Sequence, residues 1–326
     1  TVTRGKTLVV IFLRGGMDGL NLLVPFADPH YYQLRNGIGI PQPGKENGAV
    51  DIDGFFGLHP RASALAPLLA SGAGVALQAV GYDKNTRSHF EEQDTWETGV
   101  IGNTIGSDGW LNRHLATSQG HGPIRAVSVG NNLPRILRGD APAYAIRGLT
   151  DLGLGGKESE RERFVAALEH AYCSPPPKDR LQDATDLVLQ TGNETLEATR
   201  LLNKVAEKPY KSAGVYPETK LGNQLKEVAR MIKANIGLEV AEVDYGGWDT
   251  HNRQGGITGV FADHVKTLSE AIAAFHKDMG NHMEDVMLLT LSDFGRTAAE
   301  NGSGGTDHGW ANCMLALGGA ARRSGP

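Results

Sequence analysis

Residues 8–13, Leu8-Val9-Val10-Ile11-Phe12-Leu13, run straight into Arg14-Gly15-Gly16-Met17-Asp18-Gly19. An unbroken apolar run, rather than an alternating one, suits a strand covered on both faces, and Val9, Val10 and Ile11 favour extended backbone. The glycines behind it turn the chain sharply and present Asp18 at the strand's carboxyl end. Similar runs recur at Val75–Ala79, Ala126–Val129, Leu238–Val243 and Val286–Leu291, with a further apolar stretch at Met314–Leu317. Helical stripes lie between them: in Asp263–Met279 the residues Val265, Leu268, Ile272, Phe275 and Met279 step by three or four, and Leu221–Ala234 and Arg161–Ala171 read alike. Strand alternating with helix predicts an α/β three-layer sandwich around a mostly parallel sheet.

Thr150 to about Ser212 is polar, helical in pattern and broken by Ser174-Pro175-Pro176-Pro177. It is expected to be a helical insertion, residues 150–212, within one domain spanning residues 1–326. A net charge of −5, from 32 basic and 37 acidic residues, gives no reason to expect nucleic acid or an anionic membrane as partner. No apolar stretch reaches the ~20 residues that span a bilayer. The run Thr7–Leu13 is too short for a signal peptide, so the chain reads either as cytoplasmic or as a mature form whose signal is gone. Cys173 and Cys313 lack the spacing of a zinc ribbon; they form one bridge or stay free thiols.

Open α/β sheets bind ligands where strand carboxyl ends meet. Three strands here are each followed by glycine and an acidic residue: Asp18 after the first, Asp249 and His251 in Gly246-Gly247-Trp248-Asp249-Thr250-His251 after Leu238–Val243, and Asp293 after Val286–Leu291. A fourth segment, Gly304-Gly305-Thr306-Asp307-His308, brings another Asp–His pair. Mixed carboxylate and imidazole donors suit zinc, manganese or a similar divalent ion. An Asp behind a strand also serves as a turn former or helix cap, and Asp244 is read in that way. The other histidines, such as His59, His264 and His276, are read as structural.

Ser88, in Thr86-Arg87-Ser88-His89-Phe90-Glu91, opens a helix and with Glu91 matches a capping box. The same position suits a nucleophile, because a helix N-terminus favours an attached phosphate. His89 is a candidate ligand, and Arg87 and Arg14 are candidate anion clamps.

The segments LVVIFLRGGMDGLN (8–21), TRSHFEEQDTWETG (86–99), GGWDTHNRQ (246–254), LSDFGRT (291–297) and ENGSGGTDHGW (300–310) together resemble the domain-of-unknown-function 1501 family, which is related to the alkaline phosphatase and sulfatase superfamily. The resemblance implies an alkaline-phosphatase-like sandwich holding one or two divalent metal ions, most simply zinc or manganese. It implies Asp18, Asp249, His251, Asp293 and His308 as ligands, with Asp307 as a ligand or a partner that orients His308, and Ser88 as nucleophile. Two departures stand out: Phe294 occupies a position that is commonly His in the superfamily, and the sulfatase pattern C-x-P-x-R fails because position 177 is Pro. The resemblance also implies a twin-arginine-exported, periplasmic or secreted protein, and a chain that continues beyond Pro326.

The expected function is metal-dependent hydrolysis of a small anionic phosphate or sulfate ester. The alternatives are a non-catalytic binding or structural protein on the same scaffold, motivated by Phe294 and the short Asp249–His251 spacing, and a metal-bound lyase or isomerase.

Overall fold

The computed structural model describes residues 5–120, 122–149, 158–173 and 182–319. In chain order the strands are β1 (Thr7–Leu13), β2 (Leu23–Val24), β3 (Val50–Asp51), β4 (Gly57–Leu58), β5 (Gly74–Val80), β6 (Ala126–Val129), β7 (Tyr144–Ile146), β8 (Val240–Tyr245), β9 (Val286–Ser292) and β10 (Asn312–Gly318). The α-helices are α1 (Gly19–Leu22), α2 (Pro29–Leu34), α3 (Ala66–Ala70), α4 (His89–Thr98), α5 (Trp110–Thr117), α6 (Glu158–Cys173), α7 (Gln182–Glu207), α8 (Lys220–Lys233) and α9 (Val260–Met279).

Seven strands form the central sheet in the order β5-β10-β9-β1-β8-β6-β7. β1 is its middle. It pairs in parallel with β8 on one side and β9 on the other. Its side chains alternate: Val9, Ile11 and Leu13 join a core with Leu225 and Val228 of α8 and Leu268, Ile272 and Phe275 of α9. Val10 and Phe12 point the other way, to Leu111 and Leu115 of α5 and to Ile136 and Leu137. All five are fully buried, each contributing roughly 1.5–3 kcal/mol of burial. A strand without polar alternation is what two covered faces demand.

The sheet is mostly parallel, as expected, with β10 as its antiparallel member. β10 runs antiparallel to both β9 and β5, so β5 points the same way as β9 and β1 while β10 points back. The residues that precede β10 therefore reach the same sheet edge as the residues that follow β1, β5, β8 and β9. β7 and the small sheet β2-β4-β3 carry too few residues to show a pattern in the sequence.

Within 150–212 the described helices are α6 and α7, residues 208–212 are irregular, and Ala198, Leu202 and Val205 of α7 join the main core. The break at 174–177 lies outside the described residues. Cys313 is a buried free thiol, which burial pushes to a pKa of about 12. No described helix is long and apolar enough to cross a membrane.

Candidate metal centre at the carboxyl edge of the sheet

Behind β5 the chain folds into a tight loop before α4. Buried Glu92 organises it: Thr86 donates both its N–H (2.7 Å) and its Oγ1–H (2.9 Å) to Glu92 Oε1, and Tyr82 donates its hydroxyl to Oε2. Asn85 Oδ1 accepts from the Arg87 N–H at 2.8 Å. These bonds hold Arg87 at φ +59, a left-handed conformation that a non-glycine residue adopts only under constraint. The capping box expected of Ser88 and Glu91 is not formed. Ser88 caps α4 without a side-chain hydrogen bond, because Glu92 has taken the role of drawing the loop back onto the helix.

His89, at the first position of α4, turns into the sheet edge. Its Nδ1 lies 2.6 Å from Asp293 Oδ2. Asp293, fully buried at the end of β9, also accepts from Gln93 Nε2 (2.9 Å) and from the Gly15 N–H. His308 places Nδ1 2.7 Å from the Arg87 carbonyl oxygen, and His251 places Nδ1 2.9 Å from Asp307 Oδ1. Carbonyl oxygens and ionised carboxylates only accept hydrogen bonds, so each of these three Nδ1 atoms carries the proton. In a neutral imidazole so held, Nε2 keeps its lone pair.

The three Nε2 atoms converge on one oxygen. Asp249 Oδ1 lies 3.4 Å from His89 Nε2, 3.0 Å from His251 Nε2 and 3.3 Å from His308 Nε2. His251 and His308 face each other at 2.9 Å, Nε2 to Nε2. Two lone pairs at that separation repel unless a cation or a proton lies between them. Zinc bonds of 2.0–2.1 Å in tetrahedral geometry separate the ligand atoms by about 3.3 Å, close to the spacings found here. His89 Nε2 is buried with no hydrogen-bond partner, as a lone pair reserved for a metal would be. The ligand atoms of His89, Asp249 and His308 all lie within 4.8 Å of one another. Histidines that donate Nδ1–H to an oxygen and offer Nε2 inward are the usual arrangement around a bound metal. The residues fit a divalent cation.

Aromatic rings wall the site. Phe294, fully buried, lies 4.7 Å from the His89 ring and 4.6 Å from the His308 ring, centroid to centroid. Glycine makes the close approach possible. A Cβ on Gly15 (φ +117) would sit 2.6 Å from the Asp249 backbone nitrogen, so only a residue without one lets the β1 and β8 loops touch.

Not every expected ligand joins the cluster. Asp18 is fully buried, but its Oδ2 accepts from Arg35 Nη1 and Gln254 Nε2, each at 2.6 Å. Gln254 Oε1 in turn accepts from the hydroxyls of Thr250 and Thr306, one residue before His251 and Asp307 respectively. The structure thus sets Asp18 behind the ligand loops, bracing them. Asp293 and Asp307 face the protonated sides of His89 and His251. Arg14 donates to Asp244, Gln93 and Glu97 and is largely committed to them. Burial opposes its charge, but Asp244 and Glu97 outweigh that and raise its pKa. Arg87 keeps its guanidinium at the surface, 5.9 Å from the Trp310 ring.

Two residues escaped the sequence reading. Gln93 sits one turn after His89 and shares its partner Asp293, an i, i+4 relation that the sequence displays. Arg296, three residues after Asp293, is a buried hub. It donates to the carbonyl oxygens of Gly15, Gly16, Trp248 and Thr306, and to Asp249 Oδ1 at 2.6 Å. Desolvation works against the Asp249 carboxylate, yet Arg296 and the neighbouring histidines hold its pKa below the usual value.

No curated protein sequence matches the chain. A solved structure that is similar to it is the C-terminal periplasmic domain of EcEptC from Escherichia coli in complex with Zn, at 9% identity and a TM-score of 0.46, covering 97% of this chain and 73% of that one. The family model described as "Protein of unknown function (DUF1501)" matches residues 59–325, most of the chain, and the chain belongs to that family.

Proposed function

We propose that this protein is a metal-dependent hydrolase of a phosphate or sulfate ester, on a scaffold akin to the alkaline phosphatase and sulfatase superfamily. The observation that carries the reading is the convergence of three Nε2 lone pairs on Asp249 Oδ1, with each opposite Nδ1–H taken by an oxygen. His89, Asp249 and His308 would hold the cation, with His251 joining from beside His308. A divalent ion bound there supplies Lewis acidity toward an ester oxygen and lowers the pKa of a neighbouring hydroxyl.

The chain's own groups supply the rest. Ser88 directly precedes His89, and its hydroxyl is not spent on capping α4, which leaves it available as the nucleophile. The positive end of α4 favours charge developing on the ester oxygens. Arg87, whose backbone carbonyl oxygen touches His308 and whose guanidinium is exposed, is the cation we assign to an incoming anion. Asp293 keeps the His89 proton on Nδ1.

The test is hydrolysis of p-nitrophenyl phosphate and p-nitrophenyl sulfate by chain reconstituted with zinc or manganese. Turnover of one ester is expected, falling at least about 100-fold in Ser88→Ala. A metal-loaded chain that cleaves neither ester would sink the hydrolase reading. It would favour a metal-holding protein without turnover, a second reading supported by the near-complete commitment of Arg14 to protein partners.

A further inference from the structure

We infer that the centre is built for a single divalent ion, because two buried guanidinium groups stand where further positive charge would otherwise be needed. The inference rests on the metal reading above and deepens it.

The donor loops hold two acidic residues that could draw further positive charge, Asp18 and Asp249. Both are met by arginine. Arg35 Nη1 binds Asp18 Oδ2 at 2.6 Å, with both side chains essentially inaccessible to solvent. Arg35 is itself fixed by Asn21 Oδ1 and by the carbonyl oxygens of Thr297 and Ala298. Arg296 Nη2 binds Asp249 Oδ1 at 2.6 Å, the same oxygen that faces the histidines, and its other N–H groups are spent on backbone carbonyls. Neither guanidinium can swing aside without stranding several buried acceptors.

Charge agrees with geometry. Around the histidine cluster lie the carboxylates of Asp249, Asp293 and Asp307 and the guanidinium of Arg296, leaving two negative charges. One divalent ion balances them. A second would sit in excess beside a buried guanidinium. Asp18 adds nothing to the sum because Arg35 cancels it. Asp293 already accepts from His89, Gln93 and Gly15, and the Nδ1 atom of each histidine faces an oxygen, so none of these groups is turned toward a second ion.

The experiment is metal stoichiometry on the chelator-stripped chain. Zinc titration by calorimetry, with elemental analysis after desalting, is expected to saturate at one ion per chain. Manganese is expected to give the electron paramagnetic resonance spectrum of an isolated ion. Asp18→Asn alone strands a buried guanidinium, so the paired variant Asp18→Asn/Arg35→Gln carries the mutational arm. It is expected still to saturate at one zinc per chain, with affinity lowered by no more than the loss of the brace on the Thr250 and Thr306 loops, about 10-fold, whereas Asp249→Asn lowers affinity about 100-fold. Two ions per chain, spin-coupled manganese, or loss of zinc from a folded Asp18→Asn/Arg35→Gln chain would overturn the single-ion inference and leave the metal reading standing. A chain that takes up neither zinc nor manganese would overturn both.

Discussion

At the scale of single residues, the site depends on which nitrogen of each histidine carries the proton. Asp293 makes that choice for His89 from 2.6 Å. Removing it in Asp293→Ala frees the ring to rotate and to exchange tautomers. Zinc affinity is expected to fall about 10–100-fold while circular dichroism is unchanged; calorimetric titration of the variant checks this. Arg296→Met is expected to do more, because it strands four carbonyl oxygens and a carboxylate at once. A loss of roughly 3–5 kcal/mol is expected in urea unfolding, the range for breaking one side of a buried pair. Phe294, fully buried, packs at a tilt against the rings of His89 (32°) and His308 (42°) and so backs both imidazoles with an apolar wall.

At the scale of elements, the centre exists because loops from different strands touch. β1 and β8 run in register side by side, and the glycine after β1 lets the β8 loop close over it. Gly15→Ala places a Cβ against the Asp249 backbone and demands φ +117 of an alanine. A cost of at least about 1–3 kcal/mol and weakened zinc binding are expected together, read by thermal unfolding with and without zinc. The α4 loop stores strain of the opposite kind. Arg87→Gly relaxes φ +59 and is expected to gain up to about 1 kcal/mol of stability while KM for an anionic ester rises. A rise in stability with KM unchanged would remove Arg87 from the substrate's path.

Across the whole molecule, the chain after α7 is pinned to the sheet domain by one buried carboxylate. Asp278, on α9, accepts from Lys233 of α8 (2.6 Å), from the hydroxyls of Tyr210 and Tyr216, and from the Ala213 N–H. Desolvation opposes its ionisation, but the Lys233, Tyr210 and Ala213 bonds prevail and lower its pKa below 3.8. A carboxylate depressed on folding adds stability that is fully present above its unfolded value and is lost as pH falls through its folded one. Stability is therefore expected to drop below about pH 3.8. Asp278→Asn, costing about 3 kcal/mol at pH 7, is expected to flatten that part of the profile. Urea midpoints measured from pH 2 to 7 on both chains decide it.

Much of the architecture was legible because apolar runs and three-to-four stepping respond to burial alone, as in Leu8–Leu13 and Val265–Met279. The residues that gather at the candidate site were picked out for a related reason: Asp249, His251, Asp293, Asp307 and His308 lie in glycine-rich turns that follow strands or precede one, which a sheet brings to one edge. What the residues by themselves determined is thus the set of donors and the layers that carry them. Only the tertiary structure decided their roles. The reversed direction of β10, a matter of long-range pairing, brings His308 to the edge from the front of a strand. Arg35 draws Asp18 away from the histidines, and Arg296 reaches Asp249 across 47 residues. A guanidinium can satisfy any of several distant acceptors, and only packing selects which, so no local pattern announces the choice.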